Sequence, residues 1–457
     1  MFVLLFLALI AHFVNFQVNE SEDFINNDYN SREELFAERV IRGDILSADG
    51  EVLAQTIINT DGTEKRYYPF ENVFAHVVGY ASNGKAGIEK LANFHLLKSH
   101  VSVDEKVEVE LAEEKYRGDN VITTLNAKLQ QVAYEGLGWY EGAIVVLEPS
   151  TGRILAMVSK PNFNPNDVEE EWEYLVSEDN TSTVLLNRAT QGLYPPGSTF
   201  KIVTTLAQMR QNMENSTYAY VCTGKVIAGG AVIHCYKNKS HGNVDLEESF
   251  AESCNSSYAN IGLHLEKESF QKVCDSLLFN TTLPIKLPYS KSSFTLTAES
   301  DEAEVMQGAI GQGTTLVTPF HMALITSAIA NDGLLMNPYL VERVESHTGE
   351  IVKTYVPTAY GRLLEEEEAS QLQEYMEAVV SYGTGTKLQS KKYTAAGKTG
   401  SAEFSSKAEH CHSWFVGYAH AEGKKDIAVA VLVEEAGSGS TVAVPIAKKI
   451  FDAYFSE

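Results

Sequence analysis

Apolar residues fill the first 18 positions, MFVLLFLALIAHFVNFQV, where only His12, Asn15 and Gln17 interrupt the run. As a helix rising 1.5 Å per residue the stretch would be about 27 Å long, nearly the hydrocarbon thickness of a bilayer. No basic residue precedes it and no A-x-A cleavage site follows, so it predicts a membrane anchor over residues 1–18 rather than a secretory signal. The rest of the chain is then expected outside the cytoplasm. From Asn19 to Thr124 charged helical patches alternate with short strand-like runs such as Glu51 to Ile58. Nothing there reads as a convergent polar cluster, and the segment is expected to be a small non-catalytic module.

The texture changes at Gly142. GAIVVLEP, the turn Ser150-Thr151-Gly152 and RILAMVS predict a hairpin of two apolar strands. Near the other end, Tyr393 to Phe404, Ser413 to His420 and Asp426 to Glu434 read as three more strands, and Ala443 to Phe455 carries helical spacing at Val444, Ala447, Ile450 and Phe451. Strands at both ends of the segment 125–457 predict one α/β domain with a mostly antiparallel sheet and a helical middle.

Composition narrows the function. The chain has 457 residues, 44% of them hydrophobic, and a formal net charge of −25, which excludes disorder as the dominant state and argues against a nucleic-acid partner. Cys222, Cys235, Cys254, Cys274 and Cys411 are odd in number and form no C-x-x-C pair, so neither a zinc site nor a disulfide scaffold is indicated. Cys222 and Cys235 flank a glycine-containing stretch that could fold as a hairpin and bring them together as a disulfide, with free buried thiols as the default. Cys254 reads as a packed small residue and His241 as structural. His410 and His412 flank Cys411, but strand alternation would turn Cys411 to the opposite face from both. Glu365 to Glu368 reads as a solvated helix face.

Candidate chemistry begins at Tyr194-Pro195-Pro196-Gly197-Ser198-Thr199-Phe200-Lys201. Proline and glycine stop the preceding chain, and a helix is expected to start at or near Ser198, which sets Ser198 and Lys201 one turn apart on one face. A serine hydroxyl needs an adjacent base, and a lysine held neutral by desolvation can serve. S-x-x-K alone is weak, because chance supplies it on the order of twice in a chain of this size. However, Ser253-Cys254-Asn255 follows 55 residues after Ser198, and Lys398-Thr399-Gly400 follows 200 residues after it, inside a predicted strand.

In that order the three triplets resemble those of penicillin-binding proteins and serine β-lactamases. The chain is most similar to class B penicillin-binding proteins, the monofunctional peptidoglycan D,D-transpeptidases. The resemblance extends to Arg42-Gly43-Asp44-Ile45 with Asp49-Gly50, Gly87-Ile88-Glu89, Gly142 to Pro165, Gly311-Gln312-Gly313 and His412-Ser413-Trp414-Phe415-Val416-Gly417. It implies a penicillin-binding transpeptidase domain, a mostly antiparallel sheet flanked by helices, over 125–457 after a membrane-proximal pedestal over 19–124. It further implies Ser198 as acyl-accepting nucleophile, Lys201 as its base, Ser253 as proton relay and Asn255 as holder of the substrate amide. Lys398 would add positive potential, and Thr399, Gly400 and Ser401 would bind substrate, its terminal D-alanine carboxylate falling to Thr399 and Ser401. The backbone amides of Ser198 and Ser401 would form the oxyanion hole. No metal or organic cofactor is implied. The implied partners are a stem peptide ending in D-Ala-D-Ala, β-lactams and a polytopic glycan-polymerising membrane protein that contacts the pedestal. Two other readings stay open: a D,D-carboxypeptidase or β-lactamase that uses water as acceptor, and a non-catalytic β-lactam sensor or scaffold.

Overall fold

A computed structural model of the chain describes residues 2–16, 32–177, 181–211, 218–403 and 411–456. The charge run that follows Val18 lies mostly outside them, as does His410. The apolar amino-terminal stretch forms a helix over Phe2–Asn15, and no helix among the described residues is long and apolar enough to cross a membrane. The chain divides into two compact units: Met1–Thr124 with Phe163–Asn180 and Leu340–Val356, and Leu125–Asn162 with Thr181–Tyr339 and Pro357–Glu457. Two segments that a linear division at residue 124 leaves in the second unit thus belong by their contacts to the first. One reason is visible in the strands, because Val341–Glu345 pairs antiparallel with Asn120–Thr123 and carries Ile351–Thr354 on its other edge.

The first unit holds a six-stranded sheet in which Ile45–Leu46 runs parallel to Asn120–Thr123 and antiparallel to Val52–Ile58. Beside it the structure corrects the expectation of no polar cluster. Glu89, fully buried on the short helix Gly87–Leu91, accepts from Arg42 Nε at 2.7 Å and from Arg66 Nε at 2.7 Å, while Tyr68 OH donates to it at 3.2 Å. Arg42 also donates to the Glu89 carbonyl at 2.7 Å and to Asn93 Oδ1 at 2.5 Å. The Arg42-Gly43 and Gly87-Ile88-Glu89 motifs are therefore two halves of one ion cluster. Burial alone would raise the Glu89 pKa, but the two guanidiniums and their hydrogen bonds outweigh it and hold the carboxyl below its ordinary range. A carboxyl so lowered stabilises the fold above the ordinary carboxylate pKa and loses that contribution as pH falls through its folded value. Glu89→Gln is expected to reduce unfolding free energy by about 3 kcal/mol at neutral pH, because it takes the buried carboxylate away from two nearly buried guanidiniums. Urea melts of both proteins at pH 7 and in acid check this: the gap closes in acid, and equal midpoints at pH 7 contradict it.

The second unit is built on a five-stranded sheet, numbered along the chain as β1 (Gly142–Glu148), β2 (Arg153–Lys160), β3 (Thr394–Glu403), β4 (Cys411–His420) and β5 (Ile427–Val433). Its spatial order is β3-β4-β5-β1-β2 with every neighbour antiparallel. An antiparallel sheet often leaves one face wet, but here β1 and β5 are buried at every residue because helices cover both faces. Ile144, Val146, Val429 and Val431 share a core with the helices Ala127–Leu137 and Ala443–Phe455. The opposite face carries Pro319–Ala330, a helix buried along almost its whole length, started by the Thr318 side chain accepting from His321 N and by proline at its first position. The middle of the chain is less purely helical than expected, since it also contains the small hairpin Lys225–Ala228 with Ala231–His234 and the pair Tyr220–Cys222 with Gly242–Val244. Glu365 to Glu368 is only partly a solvated face: Glu365 and Glu368 form a capping box at the start of Glu366–Ser381, and Glu368 pairs with Arg210 at 2.8 Å.

Candidate active site

The Ser198 turn is shaped by close backbone packing. Gly197 takes φ +54°, and its N–H donates to Gly311 O at 2.8 Å. A Cβ on Gly311 would sit 2.2 Å from Gly197 O, which is why the Gly311-Gln312-Gly313 element needs glycine first. Ser198 lies not in an α-helix but in the 3₁₀ turn Gly197–Phe200, and the α-helix proper starts at Lys201 and runs to Gln211. In a 3₁₀ turn residues three apart eclipse, so serine and lysine still share a face. Phe200 anchors the turn in an aromatic cluster, stacked on Phe294 at 5.3 Å and edge-on to Phe279 at 5.6 Å.

Lys201 is fully buried, and its amine donates to Ser253 O at 2.8 Å, Ser253 Oγ at 3.1 Å and Asn255 Oδ1 at 2.7 Å. The structure thus brings the S-x-x-K and S-x-N triplets into one hydrogen-bonded group. Half-buried Ser198 has a hydroxyl without a hydrogen-bond partner among the described residues. Ser253 adopts φ +56°, a strained setting for serine that turns the chain between the helices Leu246–Ala251 and Asn255–His264. The Asn255 amide donates to His234 O at 3.0 Å, which fixes its Oδ1 toward the lysine. Burial lowers the Lys201 pKa to about 7, opposed less strongly by the sulfurs of Cys254 and Cys235. Lys398, also fully buried, is held well below the ordinary lysine range by burial and then by the Lys201 charge. Two buried amines whose charges repel favour at least one neutral amine near neutral pH.

The third triplet lies on β3, where Lys398, Thr399, Gly400 and Ser401 pair with Val416, Phe415, Trp414 and Ser413 of β4. A Cβ placed on Gly197 would come within 3.0 Å of Ser401 O and of Ala402 Cα, so the Ser198 turn packs directly on this strand. Thr399 Oγ1 shares a 2.6 Å hydrogen bond with Thr384 Oγ1, and Ser401 Oγ accepts from Gly439 N at 3.3 Å. Neither Thr384 nor Gly439 carries a motif that would have singled it out. A further support escaped sequence reasoning: Tyr194 OH and Arg188 Nε both donate to Glu434 Oε1 at 2.7 Å, and Trp414 Nε1 donates to Pro195 O at 3.0 Å. These bonds tie the segment before Ser198 to the ends of β4 and β5.

Cysteine geometry departs from expectation. The hairpin does bring Cys222 and Cys235 together, with sulfurs 3.7 Å apart and no bond between them. Cys254 joins them at 3.7 Å from Cys235, and His241 Nδ1 lies 3.3 Å from Cys222 Sγ. Cys254 is fully buried, as expected of a packed small residue, and the four donor atoms of Cys222, Cys235, His241 and Cys254 fall within 4.8 Å of one another.

A serine, a buried lysine, a second serine bonded to that lysine and a lysine-bearing strand edge together define an acyl-transfer site of the serine–lysine class. Comparison with known proteins names the family. The model described as penicillin binding protein transpeptidase domain matches residues 142–452, and that described as penicillin binding protein A dimerisation domain matches residues 42–121. The chain belongs to the penicillin-binding protein transpeptidases. It is 31% identical over 445 residues to peptidoglycan D,D-transpeptidase PbpA of Mycolicibacterium smegmatis, covering 90% of this chain and 89% of the relative. Its structure is similar to the D,D-transpeptidase domain of a peptidoglycan glycosyltransferase from Eggerthella lenta, with TM-score 0.81, 31% identity and coverage of 91% of this chain and 98% of that one. It is also similar to the penicillin G acyl-enzyme complex of penicillin-binding protein A from M. tuberculosis, with TM-score 0.80, 28% identity and coverage of 90% and 99%. As expected from the triplets, this is a serine-type D,D-transpeptidase with a penicillin-binding fold.

Proposed function

We propose that this chain cross-links peptidoglycan stem peptides through an acyl-enzyme on Ser198, formed with neutral Lys201 as base, and that β-lactams acylate the same serine. The observation that carries the reading is the fully buried Lys201 amine, three residues after Ser198 and bonded to both Ser253 and Asn255. Lys201 takes the Ser198 proton as the hydroxyl attacks the carbonyl of the penultimate D-alanine. Backbone amides of Ser198 and Ser401 face the oxyanion, and Ser253 relays the proton to the departing D-alanine. Asn255 holds the substrate amide, Lys398 supplies positive potential, and Thr399 and Ser401 receive the terminal carboxylate, while Gly400 lets the strand lie close to the Ser198 turn, where a Cβ would meet Thr199 Cγ2 and Trp414 Cβ at 3.0 Å. An amine of a neighbouring stem peptide then takes the acyl group. Transfer to an amine rather than to water is favoured over hydrolysis by the similarity of the whole chain, first unit included, to named transpeptidases.

On this reading residues 1–18 anchor the protein in the membrane, 19–124 form the pedestal together with 163–180 and 340–356, the remainder of 125–457 forms the transpeptidase domain, and a polytopic glycan-polymerising protein docks on the pedestal. The mature face works in the cell envelope. Ser253→Ala tests the relay: the fold is retained and the rate of labelling by a fluorescent penicillin falls about 10²-fold or more, the scale of a lost proton-transfer group. Labelling at the wild-type rate removes Ser253 from the mechanism.

A further inference from the structure

We propose that Cys222, Cys235, Cys254 and His241 form a four-coordinate site for zinc(II), and that the bound ion positions the loop carrying Ser253 and Asn255. The donor atoms are gathered as a ligand shell would gather them, all four within 4.8 Å of one another. With Zn–S bonds of about 2.3 Å, tetrahedral coordination sets sulfurs about 3.7–3.8 Å apart and a sulfur and an imidazole nitrogen about 3.5 Å apart. Cys235 Sγ lies 3.7 Å from both Cys222 Sγ and Cys254 Sγ, and Cys222 Sγ lies 3.3 Å from His241 Nδ1. A disulfide requires sulfurs at about 2.05 Å and would use only two of the three.

The surroundings fit anionic sulfur. Gly224 N points at Cys222 Sγ at 3.4 Å and Ser256 N at Cys235 Sγ at 3.5 Å, while Ser256 Oγ lies 3.1, 3.3 and 3.5 Å from the three sulfurs. Donors around the ligands are what a thiolate site needs to orient its sulfurs and spread their charge. The three sulfurs are buried, and four separate segments deliver the ligands: the end of strand Tyr220–Cys222, the residue after strand Ala231–His234, the residue before strand Gly242–Val244, and the start of helix Asn255–His264. Three thiolates with one imidazole select a soft borderline ion over magnesium or calcium, and four protein ligands leave no open position, so the role is structural. Each thiol binds as thiolate, and its proton leaves to solvent.

The link to the active site is covalent. Cys254 lies between Ser253 and Asn255, the two residues that hold the Lys201 amine. Zinc at Cys254 therefore secures a backbone that Ser253 alone, at φ +56°, holds under strain. This positioning role rests on the acyl-transfer reading above; metal binding does not.

The experiment starts with the full chain purified without chelator. Elemental analysis is expected to find one zinc per chain, and replacement by cobalt(II) is expected to give thiolate-to-metal charge-transfer absorption with intense visible bands of tetrahedral type. His241→Ala, at the half-buried edge of the cluster, and Cys222→Ser should each lose most of the metal. Removing zinc from the wild-type protein should slow fluorescent-penicillin acylation about 10–100-fold, with recovery on adding zinc back. Less than a tenth of an equivalent of metal in the folded protein, or a mass two hydrogens low that reports a disulfide among these cysteines, overturns the site. Stoichiometric zinc whose removal leaves acylation unchanged overturns the positioning role. A zinc-loaded protein that never acylates overturns the acyl-transfer reading and leaves the metal site standing.

Discussion

Lys201→Met is expected to lower the rate constant for acylation by penicillin by about 10²–10⁴-fold, the range for a lost general base. Methionine keeps the unbranched shape and the burial, but its thioether is not basic enough to take the Ser198 proton and carries no charge. The wild-type rate should also carry the lysine's titration. Burial brings the Lys201 pKa to about 7, so the neutral, proton-accepting form is the minor one in mild acid and the major one above that value. The acylation rate therefore rises with pH through about 7 and levels off, whereas the residual rate of Lys201→Met stays flat across the same window. Stopped-flow labelling over pH checks both. A wild-type rate that falls with rising pH would remove the neutral amine from the mechanism.

The second large effect is on Ser198 itself. Ser198→Ala is expected to form no covalent adduct with a fluorescent penicillin, because no other described side chain in the turn offers an activated nucleophile. Melting temperature should hardly move, since Ser198 is half-buried and its hydroxyl bonds no other described residue. Reversible binding should survive as well, because Thr399, Ser401 and Lys398 are untouched. A variant that still labels would shift the nucleophile elsewhere, to Ser253 or Cys254.

Much of this site was legible in the sequence because its chemistry is carried by short triplets with local geometric meaning. Ser198 and Lys201 share a face in any helical turn, and the 3₁₀ turn observed changes the helix start without changing that relation. The five strands were legible too, because β1 and β5 are buried on both faces and read as unbroken apolar runs. Features assembled from distant, individually ordinary residues were not. Glu89 and Arg42 stand out only within separate family-like motifs, and nothing in the sequence joins them to each other or to Arg66 until the fold closes both guanidiniums on the carboxylate. Cys222, Cys235, His241 and Cys254 follow none of the short spacings that betray a metal site, and only the folding of two small strand pairs against the start of helix Asn255–His264 gathers them. Similarly, Glu434 meets Arg188 and Tyr194 across about 240 residues of chain, a relation that no local pattern encodes.

The most direct test of the central claim is peptide mass mapping of the enzyme quenched during turnover of a stem-peptide donor ending in D-Ala-D-Ala. The expected result is a mass increase equal to the donor less its terminal D-alanine, carried by the peptide that contains Ser198 and absent from Ser198→Ala. The same adduct on Ser253 or Cys254, or turnover with no adduct on any serine, would contradict it.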